Sequence, residues 1–308
     1  MAIENAIVIV NKTRLEQLTE RFNTKAQAKF YIEHSGGDFA DYELEHSTFK
    51  RSLDTVQKAL SNRIKHKLVE RKYLPNFLFS DKDIAIVVGQ DGLVANTAKY
   101  VNGLPILAVN PDIDRFDGVL LPFNPDNFEQ GLLAALEDRA SFKKVTMAEA
   151  LMNDGQRLLA FNDFFIGPSS HISARYKITH RDKTENHSSS GIIVSTGAGS
   201  TGWLSSLVNM TNGITSTFNK GSKGLRMNMK WDDNKLVFIV REPFQSKYSE
   251  ISLTAGLITN ELKLRIESLM PSNGLIFSDG IEADFLRFNS GSIVEIGVAK
   301  QKAMIING

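Results

Sequence analysis

Ile84-Ala-Ile-Val-Val-Gly89-Gln-Asp-Gly92, followed by a helix-compatible run over 93–101, is the stretch from which the rest of the chain is read. It puts a carboxylate and two glycines at a strand-to-helix corner. Glycines there let the backbone turn sharply and approach a ligand closely. The free N–H groups and positive dipole end of the next helix favour an anion such as a phosphate. Asp91 alone is poor anion-binding chemistry. A carboxylate beside a phosphate cradle suits a base that activates a hydroxyl, or a ligand for a cation that travels with phosphates. A plain βα turn with Asp91 as helix N-cap accounts for the same residues.

Working outward, the first part of the chain alternates strand and helix patterns. Ala6-Ile-Val-Ile-Val10 reads as a strand, and Thr13-Arg-Leu-Glu16 as a capping box that opens a helix with Leu15, Leu18 and Phe22 on one face. Thr24 and Gln27 repeat the signal. After Gly36-Gly37 a long polar helix pattern carries Phe49, Leu53, Val56 and Leu60, and further strands are read at 67–69 and 104–110. Strands alternating with helices predict right-handed βαβ units and a mainly parallel sheet, whose ligands sit at the carboxyl ends of strands. Residues 89–92 fall at such an end.

Beyond about residue 141 the helices thin out. Short runs of β-formers follow at 161–166, 173–178, 191–194, 235–240, 262–266, 274–277 and 292–296, with one helix from Thr201 to about Met210. Ser188-Ser-Ser190 reads as a hairpin loop. The expected architecture is an α/β N-terminal domain over 1–140 with a mainly parallel sheet, and a mostly antiparallel, all-β second domain over 141–308.

Composition narrows the function classes. The 308 residues are enough for two domains with real cores, since single cores rarely grow past ~250–300 residues. Lys and Arg number 36 against 35 Asp and Glu, so the net charge of +1 gives no argument for nucleic acid or an acidic membrane surface. Any phosphate binding is local. The sequence has no cysteine, which removes disulfides, thiolate nucleophiles and Cys-based zinc sites and fits a reducing compartment. With no Arg-rich leader and no long apolar segment read at its start, a cytoplasmic protein is expected.

Further polar clusters stand in the second half. Thr196-Gly-Ala-Gly-Ser-Thr201 is again a strand, a small-residue loop and a helix. It lacks the Lys of a P-loop; its hydroxyls and N–H groups suit phosphate, ribose or a base edge, or a tight turn capped by Ser200 or Thr201. Asn162 and Asp163 are neighbours in a strand pattern, so the backbone must bend if both side chains reach one ligand; an Asx-turn at a strand end is the other reading. Ser278-Asp279-Gly280 fits a hairpin turn. His180-Arg-Asp182 lacks the companions of a protein-kinase loop, and His180 and His187 flank a polar loop with no third ligand, so no metal ligand is assigned. Lys220, Lys223, Arg226 and Lys230 read as a solvated loop.

Taken in order, Gly89-Gln-Asp-Gly92, Asn162-Asp163, Gly191-Ile-Ile-Val-Ser-Thr-Gly-Ala-Gly-Ser-Thr201 and Asp279-Gly280 resemble the GGDG, NE, glycine-rich STPTGSTAY-like and DG motifs of the NAD kinase family. Ala108-Val-Asn-Pro-Asp-Ile-Asp-Arg115, Phe165-Ile-Gly167, Ser173-Ala-Arg-Tyr176 and Arg241-Glu-Pro243 resemble its divergent, mitochondrial-type branch. The similarity covers about residues 84–290.

The resemblance implies an NAD kinase/diacylglycerol kinase-like fold. It also implies phosphoryl transfer from ATP, or polyphosphate, to the 2′-hydroxyl of the adenosine ribose of NAD or NADH. A divalent cation, Mg by default, and a homodimer or larger homo-oligomer go with it. Asp91 matches the carboxylate that points at the hydroxyl, and Gly89 and Gly92 match the phosphate-side glycines. Asn162 and Asp163 match the pair that holds the dinucleotide. Thr201, Gly202 and Ser206 fall on positions that contact its adenosine half, and Trp203 stands where the family has a Tyr near the adenine. Thr196, Gly199, Ser200, Asp279 and Gly280 are expected as supporting loop residues. Gln90 replaces the second Gly of GGDG and Leu93 the usual Thr, departures that bear on the phosphoryl donor. Two alternatives stay open: a kinase of another hydroxyl substrate, lipid or sugar, because diacylglycerol and sphingosine kinases share a GGDG-type loop, and a catalytically weak NAD(P)-binding sensor.

Overall fold

The structure, a computed structural model, describes residues 3–219 and 224–308. Lys220 and Lys223 of the basic stretch lie outside the described residues. The chain divides into two compact units, residues 1–143 with 304–308, and residues 144–303.

Unit one runs β1 (Asn5–Val10), α1 (Arg14–Phe22), α2 (Lys25–His34), α3 (Phe39–Ser61), β2 (Lys65–Glu70), β3 (Asp83–Val88), α4 (Asp91–Ala98), β4 (Pro105–Val109) and α5 (Phe128–Leu136). β1 pairs in parallel with β2 and with β3, and β3 with β4. Both faces of β1 and β3 are buried, which is why their sequences are uninterrupted apolar runs. One face packs Val8, Ile84 and Ile86 against Phe49, Leu53, Val56 and Leu60 of α3 and Phe128 and Leu132 of α5. The capping box at Thr13 and Glu16 forms, and Thr24 caps α2 through the backbone N–H of Gln27. Leu15, Ala28, Ile32 and Phe39 then close a small core among α1, α2 and α3.

Unit two is built from β5 (Phe142–Met152), β6 (Arg157–Ala160), β7 (Asp163–Pro168), β8 (Ala174–His180), β9 (Lys183–Ser189), β10 (Ile192–Ser195), α6 (Trp203–Phe218), β11 (Lys235–Val240), β12 (Ala255–Thr259), β13 (Leu264–Ser268), β14 (Gly274–Ser278), β15 (Ile281–Arg287) and β16 (Ile293–Ile306). Six strands form one antiparallel sheet in the order β12-β11-β10-β7-β14-β15. Against it, β16, β13, β8 and β9 pair antiparallel in turn. Inner-face residues of both sheets, among them Phe164, Ile166, Ile178, Phe238, Ile266 and Val294, share one apolar core. The last residues of β16, Met304 and Ile305, pair in parallel with Pro105 and Ile106 of β4, within unit one.

Several local expectations are corrected. Ser188 and Ser189 are not a hairpin loop; they finish β9, and the turn lies at Arg181 and Asp182, where Arg181 takes a φ of 55°. His180 and His187 do not flank a loop but are buried strand residues. The helix after the small-residue turn extends to Phe218, although Thr211, Asn212, Gly213, Thr215 and Thr217 are weak helix formers; no proline interrupts it. Asp91 is the first helical residue of α4, and the cap position belongs to Gln90, whose side chain makes no cap hydrogen bond.

Candidate functional site

In unit one, β1 leads through α1–α3 to β2 on one side of it, whereas β3 leads through α4 to β4 on the other. The crevice between the carboxyl ends of β1 and β3 is therefore a topological switch point, where ligands of α/β sheets bind. A cavity of about 350 Å³ opens there. It is lined by Lys12, Thr13 and Arg14 after β1 and by Gly89, Gln90 and Gly92 after β3, with Arg71 and Asp112 beside them. A Cβ at Gly92 would meet nothing within 4 Å, so its missing side chain leaves the cavity wall open. Gln90 holds an ordinary φ of −101°. One carboxylate oxygen of Asp91 accepts the Leu120 backbone N–H at 2.7 Å, which fixes the side chain at the corner.

The cations on this cavity were missed from the sequence. Lys12 and Arg14 follow β1 directly, so the strand-end rule that singled out residue 89 applies equally to residue 12. Arg14 is bonded to Glu45 and Asp41, which hold its guanidinium firmly protonated.

In unit two, three separated motifs converge. The chain bends at Phe161 and Asn162, just before β7 begins at Asp163. The Asp279 carboxylate accepts the backbone N–H groups of Phe161, Asn162 and Asp163 at 3.0, 2.6 and 3.3 Å, and the Asp279 N–H donates back to the Asp163 carbonyl at 3.0 Å. Asp279 and Gly280, with φ of 55° and 68°, form the two-residue hairpin between β14 and β15, so the turn and the backbone clamp are one feature. From the other side, Thr196 donates its N–H to the Asn162 carbonyl at 2.9 Å and its hydroxyl to the Phe161 carbonyl at 2.6 Å, and that hydroxyl accepts the Gly199 N–H at 3.2 Å. Gly199 is obligatory here, since a Cβ would stand 2.2 Å from the Asn162 carbonyl oxygen.

These bonds fix the bend so that Asn162 and Asp163 end a rigid strand as adjacent polar side chains. Burial pushes the Asp163 carboxyl up to about 7, and the Asp279 carboxylate adds to the rise. Near neutral pH such a group both donates and accepts hydrogen bonds. Ser200 turns its hydroxyl back to the Gly197 carbonyl, and Ser206 its own to the Gly202 carbonyl, so both serve the local turn. Thr201 and Gly202 are exposed. Trp203 is 40% exposed and lies beside Phe165 and Phe277, with ring centroids 6.1 and 6.3 Å away, an aromatic group the sequence reading did not assemble. The cluster offers an amide, a near-neutral carboxyl and an aromatic edge, chemistry that suits sugar hydroxyls and a flat base. Residues 89–92 belong to unit one and the others to unit two.

No protein-family model and no characterised protein sequence matches the chain. Solved structures do. A yeast NADH kinase crystallised with NADH is similar over 100% of this chain and 84% of its own, with a TM-score of 0.60 and 15% identity. An NAD kinase from Archaeoglobus fulgidus in complex with ATP is similar over 98% of this chain and 92% of its own, with a TM-score of 0.54 and 17% identity. The likeness is one of fold: a mainly parallel sheet with helices joined to an antiparallel β unit, as the sequence predicts.

Proposed function

We propose that this chain is a phosphotransferase that moves the γ-phosphoryl group of ATP to the 2′-hydroxyl of the adenosine ribose of NAD or NADH. The observation that carries the reading is the convergence of Asn162-Asp163, Thr196-Gly199 and Asp279 on one clamped bend. It joins motifs that resemble those of NAD kinases, in a fold shared with kinases crystallised with NADH and with ATP. Asn162 and Asp163 hold the ribose side of the dinucleotide, and Trp203 lies against its adenine. In unit one the donor phosphates occupy the switch-point cavity, where the N–H groups at the start of α4 receive them, while Lys12 and Arg14 on the same wall are held by Glu20 and by Asp41 and Glu45.

Asp91 then acts as the base. The ribose oxygen attacks the γ-phosphorus, the bond to the β-phosphate bridging oxygen breaks, ADP leaves, and the hydroxyl proton passes to Asp91. Positioned proton transfer of this kind contributes ~10²–10⁴ in rate. A divalent cation, Mg by default, would come in on the donor phosphates. The cation's chemistry is neutralisation of phosphate charge. Among the described residues no helix is long and apolar enough to cross a membrane, and the absence of cysteine supports a cytoplasmic setting.

The purified chain, given ATP, Mg and separately NAD, NADH, diacylglycerol or sugars, is expected to release ADP only with the dinucleotides and to form NADP or NADPH. ADP release with a lipid or sugar alone would replace the acceptor. Dinucleotide binding without any ADP would make the chain a sensor, a role in which Gln90 on the cavity wall keeps the donor out.

A further inference from the structure

Lys12, Arg14 and Arg71 all line the switch-point cavity of unit one, and they are not equivalent. Lys12 bonds Glu20 and stands 3.9 Å from Glu70, and Arg14 is held by Asp41 and Glu45. Arg71 follows β2 directly and opens a 3-10 turn over Arg71–Asn76. Among the described residues it joins no ion pair, and its one hydrogen bond runs from Nε to the Asn96 side-chain oxygen at 3.3 Å. Asn96 lies on α4 and is only 3% exposed, and its Nδ2 group is buried without a partner among the described residues. An unmet buried N–H costs stability, so this amide does not serve the core. What it does is fix a guanidinium on the cavity wall. Its oxygen has to face Arg71, because Nδ2 and Nε are both donors.

We propose that Arg71 recognises the phosphate chain of the donor, with Asn96 as its positioning residue, an inference that rests on the reading of this cavity as the donor site. Nε is used for orientation, which leaves both Nη groups without partners among the described residues. A guanidinium fork of that kind matches two oxygens of a phosphate. A phosphate on Lys12 or Arg14 has to compete with carboxylates already bonded there; on Arg71 it has no such rival. The N–H groups at the start of α4 are the other anion contact. Asn96 stands five residues beyond Asp91, a rise of about 7.5 Å at ~1.5 Å per residue. Two contacts set apart along the helix suit successive phosphates of a chain better than one phosphate. Arg71 therefore favours a polyphosphate donor over a monophosphate.

Calorimetry on the full chain with inorganic triphosphate reads this contact without turnover, so its outcome is independent of whether NADP forms. Arg71→Gln is expected to weaken inorganic triphosphate and ATP by about 10–100-fold, the range that losing charge-assisted hydrogen bonds gives, with NAD affinity and melting temperature unchanged. Arg71→Lys keeps the charge but not the fork and should fall between. Asn96→Ala removes the orienting bond together with the unmet N–H, so triphosphate affinity should drop several-fold without a matching loss of stability. Lys72→Gln, which removes the same charge from a neighbour paired with Glu70 at 3.2 Å, should change nothing. Triphosphate affinity that is equal in Arg71→Gln and the wild type overturns the proposal, as does a wild-type chain that does not bind triphosphate. An equal loss in Lys72→Gln overturns it too, by making the effect one of net charge. So does an equally large loss for inorganic phosphate, which would make the site one for a single phosphate. Triphosphate binding that depends on Arg71 in a chain that forms no NADP supports the contact and overturns the dinucleotide as acceptor.

Discussion

The corner at residues 89–92 and the loop at Asn162 and Asp163 both mark a strand end with polar and small residues, yet they are held in different ways. The first is local. One strand, one turn and one helix shape it, and its carboxylate rests on a single backbone N–H from Leu120. The second hangs on residues up to 118 positions apart, with one carboxylate gathering three consecutive N–H groups. A local corner tolerates a side chain at Gln90, because that residue needs only an ordinary φ, here −101°. A loop suspended from Asp279 has no such freedom, since losing one side chain releases the whole bend.

Asp279→Ala should give the largest effect. It leaves three buried or partly buried N–H groups without their acceptor, at ~1–3 kcal/mol each. Denaturant unfolding is expected to show a loss of about 3–5 kcal/mol, accompanied by loss of dinucleotide affinity. Stability close to wild type would mean that Thr196 and Gly199 hold the bend unaided. Asp91→Asn is the opposite case, because the amide oxygen still accepts from Leu120 while the base is gone. We expect kcat to fall by ~10² or more, with folding and NAD affinity unchanged. Equal losses in both measurements would erase the contrast between a chemical corner and a structural clamp.

Asp163 sharpens the comparison through pH. Its folded pKa of about 7 lies above the unfolded value, so the native state binds more protons between pH 4 and 7. The stability it contributes is full below about pH 4 and lost as pH rises through 7. Asp163→Asn is therefore expected to match the wild type at pH 4 and to exceed it by up to about 4 kcal/mol at pH 8, read from thermal or urea melts. Parallel profiles would show that the carboxyl is not desolvated. The smallest effect is expected at Trp203, where stacking contributes ~0.5–1.5 kcal/mol. Trp203→Ala should weaken NAD by a few fold and Trp203→Tyr should not; a lowered melting temperature without selective loss of affinity would reassign the ring to packing.

The parallel sheet was legible because β1, β3 and β4 are buried and written as unbroken apolar runs. β9 was not, because its buried face reads Glu185, His187 and Ser189. Glu185 accepts from Ser252 and Leu253, far away in sequence, and bonds its near neighbour His187 at 3.0 Å, and Ser189 bonds the Tyr176 hydroxyl at 2.8 Å. No periodicity rule sees a strand whose inward side chains are polar. The same limit hid the clamp. Asp279-Gly280 announces a hairpin turn, and only the fold places that turn under Phe161 and Asn162.

The final strand has a consequence for how the molecule is made. β4 pairs on one side with β3, and on the other with Met304 and Ile305, which the ribosome adds after all of unit two. During synthesis the open edge of β4 therefore stays unpaired while the whole β-rich unit emerges, and bare strand edges are templates for wrong pairing. Pro105, the first residue of β4, has no N–H to offer a stray strand at that edge. Deleting residues 304–308 should leave unit two able to form while unit one ages into aggregates, so the end of β16 works as a late-arriving seal on a unit made before it.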